Sequence, residues 1–333
     1  MNLINEKKHY LIFSILVTLI LGGSISPAFA STTSFTSPTS GTDNNSVGTV
    51  TWTSPGNILS SDNNYANALL STSTTTSHYL LAKGFGFSIP SGATIDGITV
   101  RIEKSASHTN SITDFHVRLT KDGSGSIGND KADNATKWGT TDATVDYGSA
   151  SDLWGTTWSV SEINSANFGV LFAVQRSSGN PNPDALVDHI AVSVTYTPDT
   201  TAPTISSVTP ASSSTVGSGF SANYTLSETV GSGTITFTRT GGSVDGATHI
   251  YNFGNGDKTS GSHSITRATL ESGFGNSLVN GAVYTMTVSA TDVALNAATP
   301  VSNTSITYDT TAPTISSVTP ASSSTVGSGF SAN

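Results

Sequence analysis

Residues 199–223, reading DTTAPTISSVTPASSSTVGSGFSAN, recur without a single change at residues 309–333. The offset is 309 minus 199, or 110 residues, and self-similarity at a domain-sized period means tandem modules that each bury their own core. The second copy stops after two strands' worth of sequence, so residues 309–333 are expected to be the incomplete start of a second unit, with further repeats after residue 333. Within the complete unit, period-2 alternation places Ile235 with Phe237, and Tyr284 with Met286 and Val288, on single faces. Other β-type runs fall at 205–208, 222–226, 249–253, 264–266 and 305–308, separated by Gly, Asn and Ser clusters. Seven short strands in about a hundred residues is the count of an immunoglobulin-like sandwich.

The phrases YTLSETVGSGTITFTRTGG (224–242), VNGAVYTMTVSATD (279–292) and ITYDTTAPTI (306–315) resemble the bacterial immunoglobulin-like repeats found in tandem in large surface proteins. The resemblance covers residues 199–308 and implies spacing, display and adhesion rather than chemistry. Such repeats usually carry Gly in the turn after the late Asp, whereas this chain reads Asp292-Val293-Ala294-Leu295-Asn296. A turn there that needs positive φ would fall on Leu295, at a steric cost that Gly does not carry.

Residues 31–198 contain no copy of the repeat. Alternation is legible at Ile98, Val100 and Ile102; at Phe115, Val117 and Leu119; at Phe168, Val170, Phe172 and Val174; and at Ile190, Val192, Val194 and Tyr196. No stretch holds a 3.6-residue period. The segment exceeds one immunoglobulin domain and fits a jelly-roll-like double-sheet sandwich. Segments 84–103 and 151–158 are similar to β-sandwich domains of uncharacterised secreted bacterial proteins, a likeness that brings no activity. The expected fold class is therefore all-β: a jelly-roll-like β-sandwich, an immunoglobulin-like β-sandwich and a truncated repeat.

The first 30 residues combine Lys7-Lys8, an apolar run from Leu11 to Leu21 and the small-residue ending Ala28-Phe29-Ala30. This is the pattern of a cleaved signal peptide, and the run is too short to span a bilayer. The mature chain is thus expected to be exported, at the cell surface or extracellular, with no membrane span. Its removal takes away Lys7, Lys8 and Glu6, moving the formal charge from -9 to -10. An acidic chain of this kind repels nucleic acid and anionic lipid. With no cysteine anywhere, disulfides, thiolate metal sites and a lipid-anchored cysteine are excluded.

Catalytic motifs are sparse. Gly123, Gly125 and Gly128 form a G-x-G-x-x-G, yet no apolar helical stripe follows to offer a helix N-terminus to a phosphate. The histidines stand singly, without zinc-ligand spacing. Glu103 continues the polar side of a strand and Glu162 lies in a Ser-rich turn, so no paired-carboxylate arrangement is visible. The segment 122–158 stands apart. Asp122, Asp130, Asp133 and Asp142 are grouped oxygen ligands of the kind Ca²⁺ uses, the one metal considered where no cofactor is required. Trp138, Tyr147, Trp154 and Trp158 are aromatic faces on which a glycan could stack. Against these stand the roles of Asp as a turn former and of Trp as a pin for a long loop.

The sequence supports a non-enzymatic recognition or display head on an immunoglobulin-like stalk, adhering to a glycan or another surface protein. Two alternatives stay open: accessory carbohydrate-binding modules of a secreted polysaccharide-degrading enzyme with its catalytic domain beyond residue 333, and a structural surface-layer or matrix component.

Overall fold

The computed structural model describes residues 28–73, 75–177, 182–316, 325 and 327–329. Almost all of the expected signal peptide, and most of the partial repeat 309–333, lie outside them. Among the described residues the fold is all-β, with two short α-helices.

The N-terminal sandwich contains β1 (Ser31–Thr32), β2 (Ser40–Asn44), β3 (Ala66–Leu69), β4 (Tyr79–Lys83), β5 (Thr94–Ala106), β6 (Ile112–Thr120), β7 (Ala143–Ser149), β8 (Gly169–Arg176) and β9 (Asp184–Thr197). One sheet runs β1-β9-β5-β7, with β3 also on β9; the other runs β2-β4-β8-β6. The pairings between these strands are all antiparallel. The order β3-β9-β5-β7 facing β4-β8-β6 is that of a jelly roll lacking one edge strand beside β6. The irregular segment 127–138 takes that place: the N–H groups of Ile127, Lys131 and Trp138 donate to the carbonyls of Leu119, Val117 and Ile112 along β6. An edge strand presents unpaired backbone groups, and this segment covers it. Ile98, Val100 and Ile102 of β5 meet Val170, Phe172 and Val174 of β8 in the core, as their alternation requires. A single-turn helix, α1 (Val160–Ile163), is closed by reciprocal Ser159 and Glu162 capping bonds.

One alternation breaks. The sequence puts Phe115 with Val117 and Leu119, but a bulge between Asp114 and His116 shifts the register against β8. Phe115 therefore joins a small cluster with Tyr79, Leu81 and Leu171, apart from the main core. Asp114 turns into the interior in its stead.

The second sandwich contains β10 (Ile205–Thr209), β11 (Thr215–Val216), β12 (Ser221–Leu226), β13 (Val230–Gly242), β14 (His249–Asn252), β15 (Gly261–Thr266), β16 (Ala282–Asp292) and β17 (Val301–Tyr308). The sheet β10-β12-β15 faces β11-β17-β16-β13-β14, and β11 pairs parallel to β17. Splitting the first strand between both sheets is an immunoglobulin-like arrangement. The seven expected runs all fall on strands; the strand β11 and the helix α2 (Arg267–Phe274), N-capped by Thr266, went unforeseen. Its core centres on Tyr224, Ile235, Phe237, Tyr284, Met286 and Val288.

Candidate functional site

The residues singled out in 122–158 are used for folding. Trp154 is fully buried and donates its indole N–H to the Ile98 carbonyl at 2.9 Å. Trp158 is buried edge-on against Phe168 and donates to the Leu153 carbonyl. Trp138 stacks on Phe172 with ring centroids 5.9 Å apart, and Tyr147 is buried beside it. The expected glycan platform of Trp138, Tyr147, Trp154 and Trp158 is thus not a surface. Trp138 belongs to the segment that covers the open edge of β6, Tyr147 projects from β7, and Trp154 and Trp158 pin the loop after β7 to the Ile98 carbonyl and the Phe168 ring.

The four aspartates expected to share Ca²⁺ are likewise apart in role. Asp122 accepts from the N–H groups of Gly125 and Ser124 and from the Thr120 hydroxyl, which hold its carboxyl well below the usual carboxylate range. Asp130 accepts from the N–H groups of Val117 and Ala132 and faces His116. Asp133 accepts from Ala135 and Thr136 N–H. Asp142 accepts from the Ser105 and Tyr65 hydroxyls, and the latter bond raises the Tyr65 phenol to about 12. Each carboxylate closes a local turn or anchors a neighbouring element, as short acidic side chains in turns do, so the expected calcium set does not form.

A different cluster was missed. Lys104, on β5, and Asp114, on β6, are 7% and 1% exposed and form an ion pair across the two sheets. The Asp114 carboxylate also accepts from Trp138 Nε1 (3.0 Å), the Tyr147 hydroxyl (2.7 Å) and Asp133 N–H (3.1 Å). The Lys104 Nζ lies 4.6 Å from the Trp138 ring centroid and 5.1 Å from that of Tyr147. Burial pushes the lysine ammonium below its ordinary range, against the pull of Asp114, and pushes the Tyr147 phenol up. A cleft of about 140 Å³, lined in part by Asp133, Thr136 and Val145, opens onto this cluster. A signal for Lys104 existed, because it continues the inward parity of Ile98, Val100 and Ile102. Asp114 had none, since it is the bulge that aims it inward.

A second cluster stands where the two sandwiches meet. Among the described residues, Asp199, Glu228 and Asp292 are the one group of three whose oxygens lie close enough to share a cation, within 4.8 Å of one another. Asp292 is only 2% exposed. Burial, then the charges of Asp199 and Asp292, push the Glu228 carboxyl above its usual range. Asn296 ties the turn to the linker, since its Nδ2 donates to the Asp199 and Thr201 carbonyls and to Asp292 Oδ2. Leu295 has φ 72° in this turn, the left-handed conformation expected for it, with its side chain 82% exposed. Gly92 of the first sandwich approaches so closely that an added Cβ would stand 2.9 Å from that of Ala294. Pro203, whose ring fixes φ in the linker, is buried.

No family model matches the chain, and no curated protein does either. Among solved structures, the chain is similar to a β-1,2-glucanase from Parabacteroides distasonis at 12% identity and a TM-score of 0.27, over 85% of this chain and 37% of that one. It is also similar to the glycoside hydrolase domain of Endo-D from Streptococcus pneumoniae at 8% identity and a TM-score of 0.21, over 84% of this chain and 37% of that one. The chain thus spans little more than a third of either structure.

Proposed function

We propose that this chain is a non-catalytic, exported display protein in which the jelly-roll-like sandwich is a head and the immunoglobulin-like unit is a stalk segment. The observation that carries this reading is where the chain enters and leaves the unit. It enters at Asp199–Thr201, held by Asn296 just beyond the end of β16 at Asp292. It leaves at Thr310–Thr311, held by Asn280 just before the start of β16 at Ala282: Asn280 Oδ1 accepts from Thr310 N–H at 2.7 Å, and its Nδ2 donates to the Thr311 hydroxyl at 3.1 Å. The eleven residues of β16 therefore separate the two linkers by about 35 Å at the rise of an extended strand.

Both linkers, identical in sequence, also adopt the same turn: Asp199 Oδ1 accepts from Thr201 N–H at 2.9 Å, and Asp309 Oδ1 from Thr311 N–H at 2.8 Å. Units joined this way run end to end, which suits spacing a head from a surface. Small-angle scattering tests it by comparing this chain with one in which residues 199–308 are duplicated in tandem. The maximum dimension is expected to grow by at least about 35 Å, one strand length. An unchanged maximum dimension would sink the stalk.

A further inference from the structure

The Lys104–Asp114 pair is placed for more than attraction. The two side chains come from opposite sheets, yet Nζ and Oδ1 stand 2.5 Å apart in the interior, on the side of the sandwich that segment 127–138 closes. Three donors converge on the one carboxyl group, namely the Trp138 indole N–H, the Tyr147 hydroxyl and the Asp133 backbone N–H. The Tyr147 hydroxyl also touches Lys104 Nζ, so it contacts the nucleophile and the carboxyl together. The rings of Trp138, Tyr147 and Phe172, all within 5.5 Å of Nζ, wall the pair in.

We propose that Lys104 and Asp114 condense into an amide that cross-links the two sheets of the head. The step balances without any co-reactant. The ammonium gives a proton to the carboxylate, producing a neutral amine and a neutral acid, and the Nζ lone pair attacks Cγ to form the C–N bond. The oxyanion of the tetrahedral intermediate is stabilised by hydrogen-bond donors already aimed at the carboxyl oxygens. The second Cγ–O bond then breaks, and that oxygen leaves as water with two of the three protons that began on Nζ, by way of the adjoining cleft.

Two physical terms favour this outcome. Holding two charges in a low-dielectric interior is unfavourable before their attraction is counted, and a neutral amide removes that cost. Holding the reacting atoms in contact replaces a bimolecular encounter by an intramolecular one, with effective molarities that reach about 10⁵ M or more in well-oriented systems. Burial already favours the uncharged amine of Lys104, the form that attacks.

The test is a tryptic map of the full protein, read by mass spectrometry. Lys104 and Asp114 lie between the cleavage sites at Arg101 and Arg118. With the amide formed, cleavage after Lys104 is blocked, and residues 102–118 are recovered as one peptide lighter by a single water, with fragmentation placing the loss between Lys104 and Asp114. Recovery of 102–104 and 105–118 as separate peptides of unmodified mass overturns the proposal, as does a link from Lys104 to any other carboxylate. Lys104→Arg keeps the buried cation without the nucleophilic amine, and is expected to cleave normally after position 104. Trp138→Phe removes one donor to the carboxyl, and is expected to slow appearance of the lighter peptide after refolding. An unchanged rate in that variant overturns the role given to the indole.

Discussion

Replacing Glu228 with Gln should stabilise the immunoglobulin-like unit in chelating buffer at neutral pH. Three carboxylates whose oxygens lie within 4.8 Å of one another repel. Unit charges at that distance interact by about 1 kcal/mol with water-like screening and about 3 kcal/mol at an intermediate dielectric of about 20. Glu228 is partly exposed and faces both Asp199 and Asp292, so the lower figure applies to each of two pairs, or about 2 kcal/mol in all. Some of this is already relieved by local adjustment, leaving a gain of about 1 to 2 kcal/mol, worth about 4 to 8 °C in a unit of this size.

The pH dependence ties the effect to ionisation of Glu228, which carries the cost of burial together with the repulsion of Asp199 and Asp292. The folded carboxyl titrates above its unfolded value, so ionisation costs stability as pH rises from about 4.3 through the folded pKa. Below that window both states are protonated and the repulsion is absent. The gain from Glu228→Gln should therefore vanish in acid and be complete at pH 7. Calorimetry can follow the unit's own transition, because all four tryptophans, at 52, 138, 154 and 158, lie in the head and their fluorescence reports that domain alone. Millimolar Ca²⁺ should narrow the gap by raising the wild-type transition, since a cation among the three carboxylates offsets their repulsion. A Glu228→Gln variant no more stable than wild type at pH 7 in chelator, or equally stabilised at pH 3, would refute the electrostatic account.

Leu295→Gly should stabilise the same unit by about 0.5 to 1 kcal/mol, the relief of a left-handed residue less the added freedom of Gly in the unfolded chain; chemical denaturation checks it, and a loss of stability would show that the exposed Leu295 side chain makes contacts that matter. Trp154→Ala should destabilise the head by about 3 to 5 kcal/mol, as truncation of a buried aromatic does, seen as a lower denaturant midpoint in the head's fluorescence transition. A neutral result would return Trp154 to the surface role first expected of it.

The sequence determined what depends on local period. Alternation located the strands and the inward faces of β5, β8, β9, β13 and β16, because a pleated chain puts every second side chain on one side wherever it packs. The exact repeat gave a period of 110 residues, and the missing Gly at position 295 marked the residue that the structure holds at φ 72°. Lys104 was legible by the same parity, though a charged residue on an apolar face does not reveal its partner. What only the tertiary structure decided is which distant segments meet. Asp114 reaches Lys104 because a one-residue bulge reverses the parity of β6, and a bulge leaves no mark in composition. Trp138, Tyr147, Trp154 and Trp158 are interior because the groups they meet, Phe172, Lys104, the Ile98 carbonyl and Phe168, come from parts of the chain that only the assembled sheets bring together. Asp199, Glu228 and Asp292 converge because the linker, the turn after β12 and the end of β16 meet at one pole, an adjacency set by strand order. Local sterics fix the direction a side chain points; long-range pairing fixes what it finds there.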